Sequence, residues 1–96
     1  MPVLFAPEAR LDLVKIARFI AADNPIRAAS FVDELITACL ELADHPHRFA
    51  LIERYAARQL RRRPYGNYSI LYQVRSGDIG IVRVLHSATD LDAALG

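Results

Sequence analysis

Two places in this 96-residue chain carry residues that could do chemistry. His86 closes an alternating apolar stretch, and an imidazole that titrates near neutral pH is the one plausible general base here for RNA cleavage. The competing reading is a rim histidine whose hydrogen bonds terminate a sheet. The second place is Arg58-Gln59-Leu60-Arg61-Arg62-Arg63, followed by Tyr65, Tyr68 and Tyr72. Guanidinium groups interleaved with aromatic rings suit nucleic acid or an acidic protein surface. The alternative is a strand edge that charge protects from aggregation. Three consecutive arginines in a strand project to both faces, so at least one points away from any core. His45 and His47 flank Pro46 with no third ligand in view, so neither a metal site nor a cofactor is expected. Cys39 shares an apolar face with Leu35 and Leu42 and reads as a packing thiol, not a nucleophile.

The elements that must position these residues follow from periodicity. Val3-Leu4-Phe5 reads as a short strand. From Pro7 to about Ala22, Ala9, Leu13, Val14, Ile16, Ala17, Ile20 and Ala21 share one helical face, with Glu8, Asp12, Lys15 and Arg18 opposite. Leu11 and Phe19 lie two turns apart on that polar side, with Lys15 between them, as residues that a partner covers would. Asn24-Pro25 caps and starts a second helix, expected to reach about Asp44 with Ala28, Ala29, Phe31, Val32, Leu35, Ile36, Cys39, Leu42 and Ala43 on its apolar face. So short a link predicts an antiparallel helical hairpin. Residues 45–57 show no period and are read as an irregular connection.

Thereafter the period becomes two. Tyr68, Ile70, Tyr72 and Val74 alternate with Ser69, Leu71 and Gln73, and Ile79, Ile81, Arg83 and Leu85 with Gly80, Val82, Val84 and His86. Ser76-Gly77 marks a hairpin turn. Pairing Arg75 with Asp78 sets Tyr72 opposite Ile81 and Ile70 opposite Arg83. Either Leu71, Val82 and Val84 or Ile70, Tyr72 and Ile81 must then face the helices. Gln59–Arg63 is expected to add a strand before a turn at Pro64-Tyr65-Gly66-Asn67. The sum is α+β: an N-terminal strand and an antiparallel helical hairpin packed on one face of a small antiparallel sheet.

Composition bounds the rest. At 96 residues and 53% hydrophobic content, residues 1–96 form one domain with one core. One cysteine excludes an internal disulfide and fits a reducing compartment. The N-terminal apolar run is too short for a signal peptide and no stretch is long enough to cross a membrane, so a cytoplasmic protein is expected. Net charge is +1, yet residues 1–53 carry −3 and residues 54–96 carry +4, and eleven of the twelve basic side chains are Arg. The second half is suited to carboxylates or phosphates.

Pro7-Glu8-Ala9-Arg10-Leu11-Asp12-Leu13 with Ile16, Phe19 and Ile20; Asn24-Pro25 with Ala28, Ala29, Phe31 and Leu35; Leu42 ahead of Pro46; Leu60-Arg61; the run from Tyr68 to Val74; and the run from Ile81 to His86 follow one another in a particular order. In that order and spacing the chain resembles, over nearly its whole length, the ParE/RelE toxin superfamily of type II toxin–antitoxin systems, and most closely its ParE (plasmid-stabilisation) branch. The resemblance implies a cytoplasmic toxin neutralised by a cognate antitoxin whose extended C-terminal segment wraps it. ParE-like members inhibit DNA gyrase, whereas RelE-like members cleave mRNA in the ribosome.

RelE-like ribonucleases resemble one another in an Arg directly after the Tyr of the penultimate strand and in basic residues after the final strand. Here those positions hold Ser69 and Ser87-Ala88-Thr89, and the tail from Asp90 to Gly96 has no Tyr. Many ParE-like chains carry arginines between the final His and Asp, and this one has none there. The expectation is therefore a toxin that inhibits DNA gyrase by binding and is not an enzyme. A ribosome-dependent mRNA endonuclease using His86, or an inactive antitoxin-binding module, are the alternatives. The expected partner contacts are Leu11, Lys15, Phe19, Arg58, Arg61, Arg62, Arg63, Tyr65, Tyr68, Tyr72, Arg83 and His86, with the arginine cluster recruiting an acidic antitoxin tail. The expected assembly is a hetero-oligomer with the antitoxin, which touches DNA only through it.

Overall fold

Proline sets where both long helices begin. In the computed structural model, which describes residues 1–96, α1 spans Pro7–Ala21 and α2 spans Pro25–Leu40, each with Pro in its first turn. A residue without an N–H loses nothing there, because the first four amides of a helix have no partner within it. Asn24 also caps α2, its side chain accepting from the Arg27 amide at 3.0 Å. Between the helices the amides of Ala22, Asp23 and Asn24 fold back on the Arg18 and Ile20 carbonyls. α1 and α2 pack against each other across this link. The helical path of α2 continues as a tighter 3-10 turn at Glu41–Ala43, which ends it close to the expected Asp44.

The sheet consists of β1 (Val3–Phe5), β2 (Arg61–Tyr65), β3 (Tyr68–Val74) and β4 (Ile79–His86), in the order β1-β4-β3-β2. β2, β3 and β4 form two antiparallel pairs, but β1 runs parallel to β4. The sheet is mixed, not wholly antiparallel as expected. β1 feeds a two-helix excursion after which the chain re-enters the sheet at the opposite edge, so no hairpin dictates its direction.

The β3–β4 hairpin closes with the Arg75 amide on the Asp78 carbonyl at 2.9 Å, and Tyr72 lies opposite Ile81 as the turn predicts. Beyond that point the register slips. Leu71 pairs with Arg83 and Ile70 with Val84, so the expected pairing of Ile70 with Arg83 does not form. Val82 is the extra residue of a bulge, which shifts every later side chain of β4 to the other face. Hence Ile70, Tyr72 and Ile81 face the helices together with Val84, a member of the opposite candidate set.

β2 begins at Arg61, because Gln59 adopts a left-handed conformation (φ 54°) that closes a 3-10 segment, Glu53–Arg58, inside the connection expected to be irregular. It runs through Pro64 to Tyr65, so the expected four-residue turn contracts to Gly66-Asn67. An edge strand tolerates Pro64 because its missing donor would face away from the ladder.

Two apolar clusters hold these layers together. Between helices and sheet, Leu13, Ile16, Leu35, Leu42, Ile70, Tyr72, Ile79, Ile81 and Val84 are buried with Ala9, Ala38 and Cys39. On the other face, Leu60, Leu71 and Leu85 are covered by Ile52, Tyr55 and a C-terminal helix, α3 (Leu91–Leu95). The tail is thus a structural cover. Three helix positions depart from their expected sides: Val14 and Ala29 are exposed, whereas Asp12 is buried. The carboxylate turns inward because β4 offers it three donors; its Oδ2 accepts from Arg83 Nε at 2.7 Å and from the Val84 amide at 2.9 Å, and its Oδ1 from Arg83 Nη2 at 2.9 Å.

Burial pushes the Cys39 thiol up to about 12, so almost no thiolate exists at neutral pH. A disulfide-forming reagent at pH 8 should therefore label Cys39 only as fast as the chain unfolds. Rapid labelling of the folded protein would contradict the packing role.

Candidate partner-binding surface

Phe19 stands at the C-terminal end of α1 with 76% of its surface in solvent, an unusual position for a ring of that size. It borders a trough of about 350 Å³ between α1 and the end of the sheet, with Lys15 and Ile16 on one wall and Tyr68, Leu85 and His86 on the other. Past Phe19 the trough leads into a second hollow of about 410 Å³, where Arg27 and Phe31 of α2 meet Gly66, Tyr68 and His86.

Local structure explains why these residues converge. Gly66 takes a positive φ of 55° in the β2–β3 turn, and β3 restarts at Tyr68 opposite His86. Gly66 also lies against the Phe31 ring, 3.8 Å away. The Tyr68 ring meets the His86 ring edge-on at 5.4 Å and the Phe31 ring at 5.6 Å, and Phe31 lies 6.0 Å from Tyr65. Arg27 lies over Phe31 at 5.0 Å and is paired with Glu34, which also accepts from the Tyr65 hydroxyl at 2.9 Å. Those bonds hold the Glu34 carboxyl below its ordinary range, through Arg27 first and Tyr65 second, and the bond to Glu34 raises the Tyr65 phenol. The rings are fixed before any partner arrives, which reduces the ordering cost of binding. Asp12 at the floor of the trough is neutralised by Arg83 and Arg27 is paired with Glu34, leaving Lys15 as the cation that sets the sign at one end.

His86 is exposed, and its Nδ1 accepts from the Ala88 amide at 3.1 Å. It terminates the sheet as a rim histidine would. Its other side borders a separate cleft of about 360 Å³ that contains Arg54, Tyr55, Arg62 and Ser69. There Arg62 Nε donates to Ser69 Oγ at 2.8 Å, placing a guanidinium from the neighbouring strand beside the position whose own side chain is a serine. Cross-strand pairing between β2 and β3 creates that proximity, and the sequence pattern of either strand alone does not reveal it. Arg54 and the Tyr55 hydroxyl are both engaged by Asp92 of α3.

The expected contact residues therefore separate. Lys15, Phe19, Tyr68 and His86 line the trough, and Leu11 lies exposed on the same stripe of α1. Tyr65 stands behind the trough in the Glu34 network. Tyr72 is wholly buried and donates to the Pro46 carbonyl, which removes it from any contact surface. Arg83 is committed to Asp12 and to the Ala94 carbonyl. Arg61 donates to the Phe49 carbonyl at 2.7 Å and Arg63 to the Ala38 carbonyl at 2.8 Å, so two of the three clustered arginines seal the corner between sheet and helices. Arg58 lies apart, exposed, over the Tyr55 ring. Sequence reasoning missed Arg27 and Phe31, although an Arg four residues before a Phe on one helix is a readable signal for such stacking.

No group of three or more His, Cys, Asp or Glu side chains is placed to hold a metal ion, and no helix is long and apolar enough to cross a membrane.

The family model described as the ParE toxin of the type II toxin–antitoxin system parDE matches residues 3–91. No curated protein matches the chain. Among solved structures, a chromosomal ParDE toxin–antitoxin system from P. aeruginosa is similar in fold, with a TM-score of 0.73 over 90% of this chain and 95% of that one at 17% sequence identity.

Proposed function

The chain belongs to the ParE toxin family of type II toxin–antitoxin systems, and from that premise we propose that it inhibits DNA gyrase by binding and is silenced by an antitoxin segment lying in the trough around Phe19. The observation that carries this reading is the trough itself: preordered aromatic walls, an exposed ring on the lip, and the Lys15 ammonium along one side. Aromatic and Arg side chains dominate binding energy at protein interfaces, and this pattern fits an acidic amphipathic segment. Inhibition of a large enzyme needs only a complementary surface.

A specific observation favours a second reading. Arg62 beside Ser69, with Arg54 and His86 in the same cleft, supplies cations near an imidazole, as cleavage of a phosphodiester would require. Against it, Arg54 and Tyr55 are already bound to Asp92, and His86 uses Nδ1 to end the sheet.

Expression without antitoxin separates the two. The purified protein should abolish supercoiling by gyrase while ribosome-bound mRNA stays intact, with His86→Ala as with the wild type. Cleavage within codons that disappears in His86→Ala, with supercoiling untouched, would overturn the proposal in favour of the nuclease. Inactivity in both assays would leave only an antitoxin-binding module.

A further inference from the structure

The chain closes most of its own sheet edge. Along β2, the Ile52 amide donates to the Leu60 carbonyl and the Arg62 amide to the Ala50 carbonyl, and Leu51 bridges to Arg61. Where β4 runs on past the end of β1, the Asp12 carboxylate accepts from the Val84 amide. The outer edge of β1 has no such cover. Against β4, the Ile79 amide donates to the Pro2 carbonyl and the Ala6 amide to the Ile81 carbonyl. Peptide groups alternate in direction along a strand, so those of Val3 and Phe5 point the other way, toward solvent. The features that usually guard an edge are missing: residues 1–7 hold no charged side chain, and Pro2 and Pro7 flank the strand without interrupting it. Val3 and Phe5 pack toward the helices, so Leu4, half exposed, stands on the other face. Its neighbour across the ladder is Gly80, beneath an Arg75 guanidinium that is paired with Asp78.

We propose that this edge pairs with the same edge of a second copy of the chain, antiparallel about a two-fold axis at Leu4, joining two sheets into one of eight strands. The order of donors and acceptors selects that occupant. Val3 of each copy lies opposite Phe5 of the other and exchanges both main-chain bonds with it, so every outward N–H and C=O of β1 is used. The next outward position is Pro7, which has no N–H, and the ladder stops where α1 begins. The two Leu4 side chains meet across the axis, and Arg75, neutralised by Asp78, adds no net charge to oppose them. The contact is short, below the ~1,000 Å² of a durable interface, so half-association is expected on the order of 0.1 mM. None of this depends on the toxin reading.

Sedimentation of the full chain should show a monomer at ~10 μM that becomes mostly dimer by ~1 mM, with the Val3 and Phe5 amides gaining exchange protection over the same range. Leu4→Lys sets two ammonium groups face to face at the axis and should weaken association by at least roughly 10-fold. Leu4→Cys puts two thiols on Cα atoms about 4.5 Å apart, a separation that a disulfide spans, so mild oxidation should give a covalent dimer. Ile26→Cys, exposed on α2, should not, and buried Cys39 leaves the wild type uncrosslinked. The crosslink decides the matter alone should Leu4→Lys fold poorly. A monomer throughout the range overturns the proposal. So does a dimer that Leu4→Lys leaves intact and Leu4→Cys fails to crosslink, which would put the contact elsewhere, such as at Phe19. Protection of Val3 and Phe5 that appears in a monomer only when the antitoxin is added would assign the edge to a foreign strand and overturn it equally.

Discussion

Asp12→Ala should lower the stability of the folded chain by about 3–5 kcal/mol, the range for removing one partner of a buried ion pair. For a domain of this length that corresponds to a fall in Tm of at least roughly 12 °C, since each kcal/mol is worth about 4–8 °C. The carboxylate is 94% shielded and accepts three hydrogen bonds, two from Arg83 and one from the Val84 amide. Alanine leaves a guanidinium that is four-fifths buried without its counter-charge and an amide at the bulge without an acceptor. Arg83→Ala should be nearly as costly, because it strands Asp12 and also releases the Ala94 carbonyl. Replacing both, as Asp12→Leu with Arg83→Met, should recover a large part of the loss, because apolar packing substitutes for a buried pair more readily than a lone charge tolerates burial. Urea denaturation of the four proteins measures this. A loss below ~1 kcal/mol for Asp12→Ala would mean that water reaches the pair and that it does not fasten α1 to β4.

That pair also shows where the sequence stops being legible. Helical periodicity sorts residues by polarity, so an aspartate among Glu8, Lys15 and Arg18 is assigned to solvent, and its partner lies 71 residues away. The direction of β1 and the bulge at Val82 were hidden for the same reason: both are settled by strand pairing, which no single segment encodes. The arginine run was read for its charge, yet the backbone carbonyls of Phe49 and Ala38 claim two of its three guanidinium groups. Local signals fared better. Pro7 and Asn24-Pro25 start helices for steric and capping reasons that operate within a few residues, and Ser76-Gly77 closes the hairpin it announces. The order of such signals along the chain was enough to identify the family. Phe19 stood out as an apolar residue on a polar face, and that anomaly survives folding because nothing in the chain covers it.

Phe19→Ala should consequently separate binding from stability. Its ring contributes little to the core, so thermal stability should change by less than ~0.5 kcal/mol, as at other surface positions. In the complex, by contrast, the ring would be enclosed between the antitoxin segment and the wall formed by Tyr68 and His86. Truncating a central aromatic anchor of that kind typically costs about 2 kcal/mol or more, a loss of roughly 30-fold in affinity at the least. Arg63→Ala should show the opposite pattern. Its guanidinium bonds to the Ala38 carbonyl, pairs with Glu41 and lies over Phe49, so stability should fall while the affinity of the molecules that remain folded stays near that of the wild type. Titration calorimetry with the antitoxin, run on both variants beside their thermal melts, yields both quantities. Wild-type affinity in Phe19→Ala would move the antitoxin off the trough. A large affinity loss in folded Arg63→Ala would return the arginine cluster to the interface.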